Sequence, residues 1–366
     1  MKVTAELVFS SDSLGYQEVL DDFPRAKRIY ILTYSISPSG ADLLNRLRAL
    51  DEGTIVNIVS NTPGRWPRYW SSTPRDTASK NIKSYMSELN PRSFRPLVRT
   101  FFNFRNHAKL IATENIAYVG SANFSDESKK NYEAGFLVCG EAEVAQLIEQ
   151  VFDPVRSSAT EFIPDDEDGL RVPLAYARDH LEAAIVAFEE CFGLDDRFSG
   201  DDEQRTFAPQ GGSPGTEDLE EAHDVLLALL EEGAVSPGAA SLLRAHLDDN
   251  TIRALIASCG KETALGKLLR FRASEHMQST VEKATWACDE HLAGVQEAAA
   301  QDAYEELNKR FHAAGKEAVG TYFRGMTELI ARVEAAASKL TDVLKNSKEI
   351  DNTTLPAQPD PHNSAK

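Results

Sequence analysis

The sequence predicts a layered α/β domain over residues 1–160, followed by an all-α domain over residues 170–347. Three observations carry this. Through residue 152, short runs rich in Ile, Val, Tyr and Thr alternate with runs whose apolar residues recur at helical spacing, as in a sheet flanked by helices. From about residue 170 strand signals fade and Ala, Glu, Leu and Lys dominate. The charge divides in the same way: residues 1–140 hold 18 Lys+Arg against 14 Asp+Glu, a net of +4, and residues 141–366 hold 21 against 43, a net of −22. A chain of 366 residues also exceeds what one hydrophobic core usually serves.

The elements follow in order. Residues 5–10 (AELVFS) and 28–36 (RIYILTYSI) have strand composition, and 54–59 is a third strand. Residues 41–50 (ADLLNRLRAL) follow Ser39-Gly40 and carry apolar residues at helical spacing. Asn61-Thr-Pro-Gly64 is a turn signal, residues 76–89 are helical, and 93–104 form a fourth strand. Residues 110–113 and 116–119 are two apolar strands joined through Glu114-Asn115, a two-residue hairpin loop. Residues 133–139 (EAGFLVC) add a strand and 141–152 a helix. Beyond them, 173–192, 218–232, 236–247 and 250–258 read as helices, and 261–300 and 301–346 as longer ones. Residues 199–217 are polar and rich in Gly and Pro, a linker; 348–366 contain almost nothing apolar and read as a disordered tail. Trp286, Leu292, Phe311, Tyr322, Phe323 and Leu329 are candidate core of a helical bundle.

Composition excludes some function classes. No run of about 18 apolar residues exists, so no transmembrane helix is expected, and residues 1–13 lack the apolar centre of a signal peptide. Four scattered cysteines (Cys139, Cys191, Cys259, Cys288) make no disulfide framework and fit a reducing cytoplasm. Eight scattered histidines make no metal site, and Cys288-x2-His291 lacks partners.

The most informative stretch runs from His107 to Ser125, HAKLIATENIAYVGSANFS. Strand alternation puts His107 and Lys109 on one face. Asn123 joins them only if the chain turns at Gly120. The residue types suit phosphoryl transfer. A neutral imidazole attacks phosphorus, an ammonium neutralises the non-bridging oxygens, and a carboxamide and a hydroxyl donate to the charge that develops. A second acid is needed for the leaving oxygen.

His107-x-Lys109-x4-Glu114 followed by Gly120-Ser121-x-Asn123 resembles the HKD signature of the phospholipase D superfamily. The resemblance covers residues 1 to about 155 and departs from the family twice: Glu114 stands for the family's Asp, and the interval to Gly120 is one residue shorter. It implies a phospholipase D-like layered sheet with helices on both faces. It further implies that His107 is the nucleophile, that Lys109 and Asn123 hold the phosphate, that Ser121 assists, and that Glu133 orients the histidine. The residues alone leave alternatives: Ser121 serves turn geometry, and Glu133 is an exposed strand charge. Family members bring two motifs together and require no metal or other cofactor; one motif here implies a homodimer with the site across its two-fold axis.

The stretch from Arg65 to Arg105 bears on the substrate. It holds nine basic residues against Asp76 and Glu88, interleaved with Trp66, Tyr69, Trp70 and Tyr85. Arg65, Trp66, Arg68, Trp70 and Arg105 are candidate nucleic-acid contacts. The competing reading is a solvated segment that pairs with the acidic helical domain. The sequence thus predicts a cytoplasmic, metal-independent phosphodiesterase acting on nucleic acid through a covalent phosphohistidine, with no membrane association. Its helical domain is a candidate regulatory or partner-protein module, a pairing that suits bacterial defence nucleases by fold analogy. The alternatives are a phospholipid hydrolase, and an inactive scaffold or sensor whose helical domain binds a partner protein.

Overall fold

The computed structural model describes residues 3–37, 42–62, 78–164, 169–194, 207–212, 214, 217–231, 235–285 and 292–353. The N-terminal part is built on strands β1 (Glu6–Ser10), β2 (Arg28–Thr33), β3 (Ile55–Ser60), β4 (Leu97–Phe102), β5 (Leu110–Ala112), β6 (Ile116–Gly120), β7 (Glu133–Cys139) and β8 (Thr160–Phe162). They form one eight-stranded sheet in the order β1-β7-β6-β5-β2-β3-β4-β8. β2, β3 and β4 run parallel, and every other pairing is antiparallel.

Alternation along the strands divides two apolar layers. Ile29, Ile31, Val56 and Ile58 face one layer with helices α1 (Gln17–Asp22), α2 (Asp42–Arg48) and α3 (Ala78–Glu88). Leu32, Val59, Leu110, Ala112 and Ala117 face the other, with α4 (Glu141–Leu147) and a π-helical turn, Ile148–Phe152. That turn leads into α5 (Asp153–Ser157), where Pro154 has no N–H to give. Helices therefore cover both faces, as expected. The strand predicted over 93–104 begins later, because Pro91–Ser93 forms a 3₁₀ turn capped by Asn90.

The hairpin between β5 and β6 has the predicted two-residue loop: Ile111 pairs Tyr118, and the Thr113 N–H donates to the Ile116 carbonyl at 2.9 Å. Glu114 reaches across the tip. Its carboxylate accepts from the Lys27 N–H at 2.8 Å and the Arg28 N–H at 3.0 Å, tying the hairpin to the start of β2. Asp22 does the same from α1, accepting from Thr113 Oγ1 at 2.7 Å and Asn115 Nδ2 at 3.0 Å. These bonds, with the one from Arg25, outweigh desolvation and hold its carboxyl below the usual range.

The C-terminal part holds α6 (Arg171–Cys191), a ribbon of β9 (Phe192–Leu194) and β10 (Phe207–Pro209), and then α7 (Glu217–Leu230), α8 (Pro237–His246), α9 (Asp249–Ser258), α10 (Ala264–Leu269), α11 (Ala273–Thr285), α12 (Leu292–Ala314) and α13 (Lys316–Thr353). Four expectations change. The region is not purely helical, because part of the predicted linker pairs as β10. The long helix predicted over 261–300 is broken, since Thr263 caps α10 and a new helix starts at Ala273. The junction predicted after Ala300 lies instead at Gly315, whose φ of +83° no L side chain adopts easily. α13 also runs through the first residues of the predicted tail to Thr353, three residues before Pro356; the rest of the tail lies outside the described residues. Phe311, Tyr322, Phe323 and Leu329 are buried as predicted, while the side chains of Trp286 and Leu292 lie outside the described residues. One apolar cluster runs from Tyr16 and Ile31 of the sheet domain to Phe188, Phe323 and Leu340 of the helices. Among the described residues no helix is long and apolar enough to cross a membrane.

Candidate active site

The site forms at the carboxyl ends of the parallel strands, where ligands bind in open α/β sheets. After β4 the chain does not pair with its neighbour but crosses to β5, which lies beside β2. Two buried amides hold the crossing. Asn61 Nδ2 donates to the carbonyls of Phe104 at 2.9 Å and Asn106 at 3.1 Å. Asn106 Nδ2 donates to the Thr33 carbonyl at 2.9 Å, while its Oδ1 accepts from the Ala108 N–H at 3.0 Å. His107 is thereby fixed over the end of β2, exposed, with its ring centroid 4.7 Å from that of Tyr34.

Lys109 is nine-tenths buried. Its Nζ donates to the His107 carbonyl at 2.7 Å and lies 3.3 and 3.4 Å from the two ring nitrogens. The two side chains meet as expected, but not by strand alternation, because β5 begins only at Leu110. Partial desolvation by its neighbours and the Lys109 charge hold the His107 imidazole below the usual histidine range. Burial also lowers the Lys109 ammonium, opposed by the field of Glu133. This shift favours the neutral imidazole, the form a nucleophile needs.

Gly120 ends β6 opposite Gly135, and both are needed for close approach. A Cβ on Gly120 would strike Tyr118 Oη and lie 2.6 Å from the Ala134 carbonyl; one on Gly135 would strike the Tyr118 ring. The chain then turns so that Asn123 Oδ1 accepts the Tyr34 N–H at 3.2 Å, and the Phe124 N–H donates to Thr33 Oγ1 at 3.0 Å. Tyr16 Oη holds the Asn123 carbonyl at 2.9 Å. With its oxygen committed to the backbone, Asn123 presents its NH₂ as the remaining donor. Asn123 and His107 thus meet at Tyr34, one on its backbone and one on its ring.

Glu133 is buried, so it is not the exposed strand charge of the alternative reading. Its Oε2 accepts from Ser121 Oγ and its Oε1 from Asn131 Nδ2 at 3.3 Å. No Glu133–His107 hydrogen bond is found among the described residues; the carboxylate acts on Lys109 through its field. Ser121 Oγ also accepts the Ala134 N–H at 3.0 Å, so the hydroxyl braces the turn.

Of the candidate nucleic-acid contacts, Arg65, Trp66, Arg68 and Trp70 lie outside the described residues. Arg105 lies beside His107 and pairs with Glu182 of α6. Three residues that sequence reasoning missed, Tyr34, Asn61 and Asn106, build this edge. The one signal that points to them is that polar residues directly follow strand-like runs.

Residues 23–156 match the family described as "Cardiolipin synthase, PLD-like domain". Among solved structures, the chain is similar to Nuc from Salmonella typhimurium, a phospholipase D family member (18% identity, covering 43% of this chain and 97% of that one, TM-score 0.32). It is also similar to NucT from Helicobacter pylori (16% identity, 44% and 100%, TM-score 0.31). No curated protein matches the chain. Residues 23–156 are thus a phospholipase D-like domain. Among the described residues no group of three or more His, Cys, Asp or Glu side chains is placed to hold a metal ion.

Proposed function

We propose that the protein is a metal-independent phosphodiesterase that cleaves nucleic acid through a covalent phosphohistidine. The observation that carries this is the convergence of His107, Lys109 and Asn123 on Tyr34 at one sheet edge. A neutral His107 ring nitrogen attacks phosphorus, the P–O bond to the leaving group breaks, and the leaving oxygen takes a proton from the protonated imidazole of a second copy, which is left neutral. Water, deprotonated by that second imidazole, then attacks phosphorus and breaks the P–N bond. Lys109 and the Asn123 amide bear the charge on the non-bridging oxygens.

One chain supplies one such histidine, so the reading includes a homodimer. An exposed apolar surface supports it. Leu7 and Phe136 are opposite one another on β1 and β7, and Phe9 stacks on Tyr132 at 6.0 Å. Leu7 is 67% exposed, Phe9 69% and Tyr132 81%, more apolar area than an edge strand usually leaves to water. This surface reaches the end of β7 where the Ala134 carbonyl accepts the Ser121 N–H. A second copy is its proposed occupant. A role in bacterial defence, a cytoplasmic location and a partner protein for the helices belong to the same proposal, on analogy of domain pairing.

The test is incubation with DNA, RNA and phospholipid vesicles in EDTA. Nucleic-acid cleavage is expected. Cleavage of vesicles alone would favour the phospholipid-hydrolase reading, and no cleavage of any substrate the scaffold reading. Sedimentation is expected to give a dimer, and a strict monomer would remove the mechanism.

A further inference from the structure

Beside His107 a cleft of about 540 Å³ lies between the two parts of the chain. Asn103, Arg105, His107 and Ser158 line one wall, and Arg178 and Glu182 of α6 line the other. The helical region therefore contributes side chains to the cleft that holds the proposed nucleophile.

The charges in that wall are arranged around one carboxylate. Glu182 Oε2 accepts from Arg105 Nη2, and its Oε1 lies 3.7 Å from Arg178 Nε. Arg178 and Glu182 stand four residues apart, so α6 presents them on one face. Asp179 holds Arg178 more closely, accepting from its Nε at 3.1 Å and its Nη2 at 2.7 Å. Two guanidinium groups thus share Glu182. Each has planar, paired donors that suit a phosphate, and neither is saturated by its carboxylate. The Arg105 side chain is 66% exposed and that of Glu182 34%, so water screens their pair and little is lost when it opens.

We propose that Arg105 and Arg178 form a second phosphate subsite. It takes the backbone phosphate next to the scissile one of a nucleic acid, and Glu182 is the built-in counter-ion that the polyanion displaces. The proposal rests on the phosphodiesterase reading above and assigns the helical region a direct part in substrate binding. A single small diester engages only the His107 edge, whereas a polymer reaches both arginines. With Glu182 swung away, Asp179 is the one carboxylate left among the described residues that line the cleft, and the wall turns positive.

The test measures binding of a fluorescein-labelled single-stranded DNA 12-mer by anisotropy in EDTA, across a salt series, in the full-length protein carrying His107→Ala so that the probe stays whole; cleavage is followed separately with His107 in place. Glu182→Gln is expected to tighten binding about fivefold, and Arg178→Ala and Arg105→Ala to weaken it about as much. Each arginine variant is expected to lower the log–log salt slope by roughly 0.7. Glu297→Gln, on α12, is expected to bind as the wild type does, which separates a local counter-ion from general charge. Because Glu182→Gln must gain affinity, misfolding cannot mimic the result. Unchanged affinity in Glu182→Gln and Arg178→Ala would overturn the subsite, as would an equal gain in Glu297→Gln. Shifted affinities, with the 12-mer left intact by the protein that keeps His107, would support the subsite and remove the cleavage reading. Unshifted affinities, with the 12-mer cleaved by that protein, would do the reverse. Preference for phosphatidylglycerol vesicles over the 12-mer would overturn the nucleic-acid assignment.

Discussion

The loop that carries His107 and the seam where α6 meets it are both polar, yet they are held in opposite ways. In the loop, Asn61 and Asn106 are buried and spend their amides on backbone carbonyls and an N–H. At the seam, Arg105–Glu182 and Arg178–Asp179 are partly exposed ion pairs between long side chains. Buried amide bonds have few alternatives and fix a geometry, whereas screened ion pairs exchange partners easily. The proposed nucleophile thus stands on the rigid part, and adjustment to a ligand falls to the seam.

The largest effect expected from breaking this contrast is on the rigid side. His107→Ala should lower phosphodiester cleavage at least about 10⁴-fold. Cleavage at the wild-type rate would remove the nucleophile. Mixing this variant with wild type should give inactive heterodimers, read from activity against mixing ratio.

Next comes the acid limit of the helical side. His223 on α7 is 5% exposed, its Nε2 has no hydrogen-bond partner among the described residues, and burial pushes it down to about 4. The unfolded chain protonates near 6.5 and the folded one only near 4. Stability is therefore full above 6.5 and is lost as the pH falls from 6.5 to 4, by about 3 kcal/mol. Urea midpoints between pH 7 and 4 test this, and His223→Leu should flatten the curve. An unchanged curve in that variant would move the acid limit elsewhere.

Gly120→Ala forces a Cβ against Tyr118 Oη and the Ala134 carbonyl. It should cost about 1–3 kcal/mol in a denaturant melt and displace the Ser121–Asn123 turn. Asn106→Ala should cost a similar 1–3 kcal/mol, because the Thr33 carbonyl and the Ala108 N–H lose their partner. It should also reduce cleavage, since it frees the loop under His107. The smallest effect belongs to Glu161→Gln. Its carboxylate meets Arg99 at 2.9 Å with both side chains partly exposed, and the change should cost well under about 1 kcal/mol. A larger loss there would contradict the view that exposed ion pairs are loosely held.

Much of the site was legible because its residues are close in sequence. His107, Lys109, Gly120, Ser121 and Asn123 lie within one short stretch, and the two-residue hairpin between them follows from two apolar runs around Glu114-Asn115. The helices of the C-terminal part were legible as helices but not in their junctions. Gly315 lies among strong helix formers, and its positive φ shows only in the folded chain. The roles of Tyr34, Asn61 and Asn106 were not legible, because each gains its role from a partner far along the chain: Tyr34 from Asn123, Asn61 from the 104–106 crossing, and Asn106 from Thr33. The same holds for Glu182, one carboxylate among many in an acidic half.

By itself the sequence determined the alternation of strands and helices, the side chains available for chemistry and the division of charge. Periodicity, turn chemistry and composition act over a few residues and need no fold to be read. The folded chain was needed to show that Glu133 braces Ser121 rather than touching His107, and that Glu182, 75 residues beyond His107, lines a wall of its cleft. Such pairings depend on strand order and on one continuous apolar core, which bring distant segments together through burial rather than through local preference.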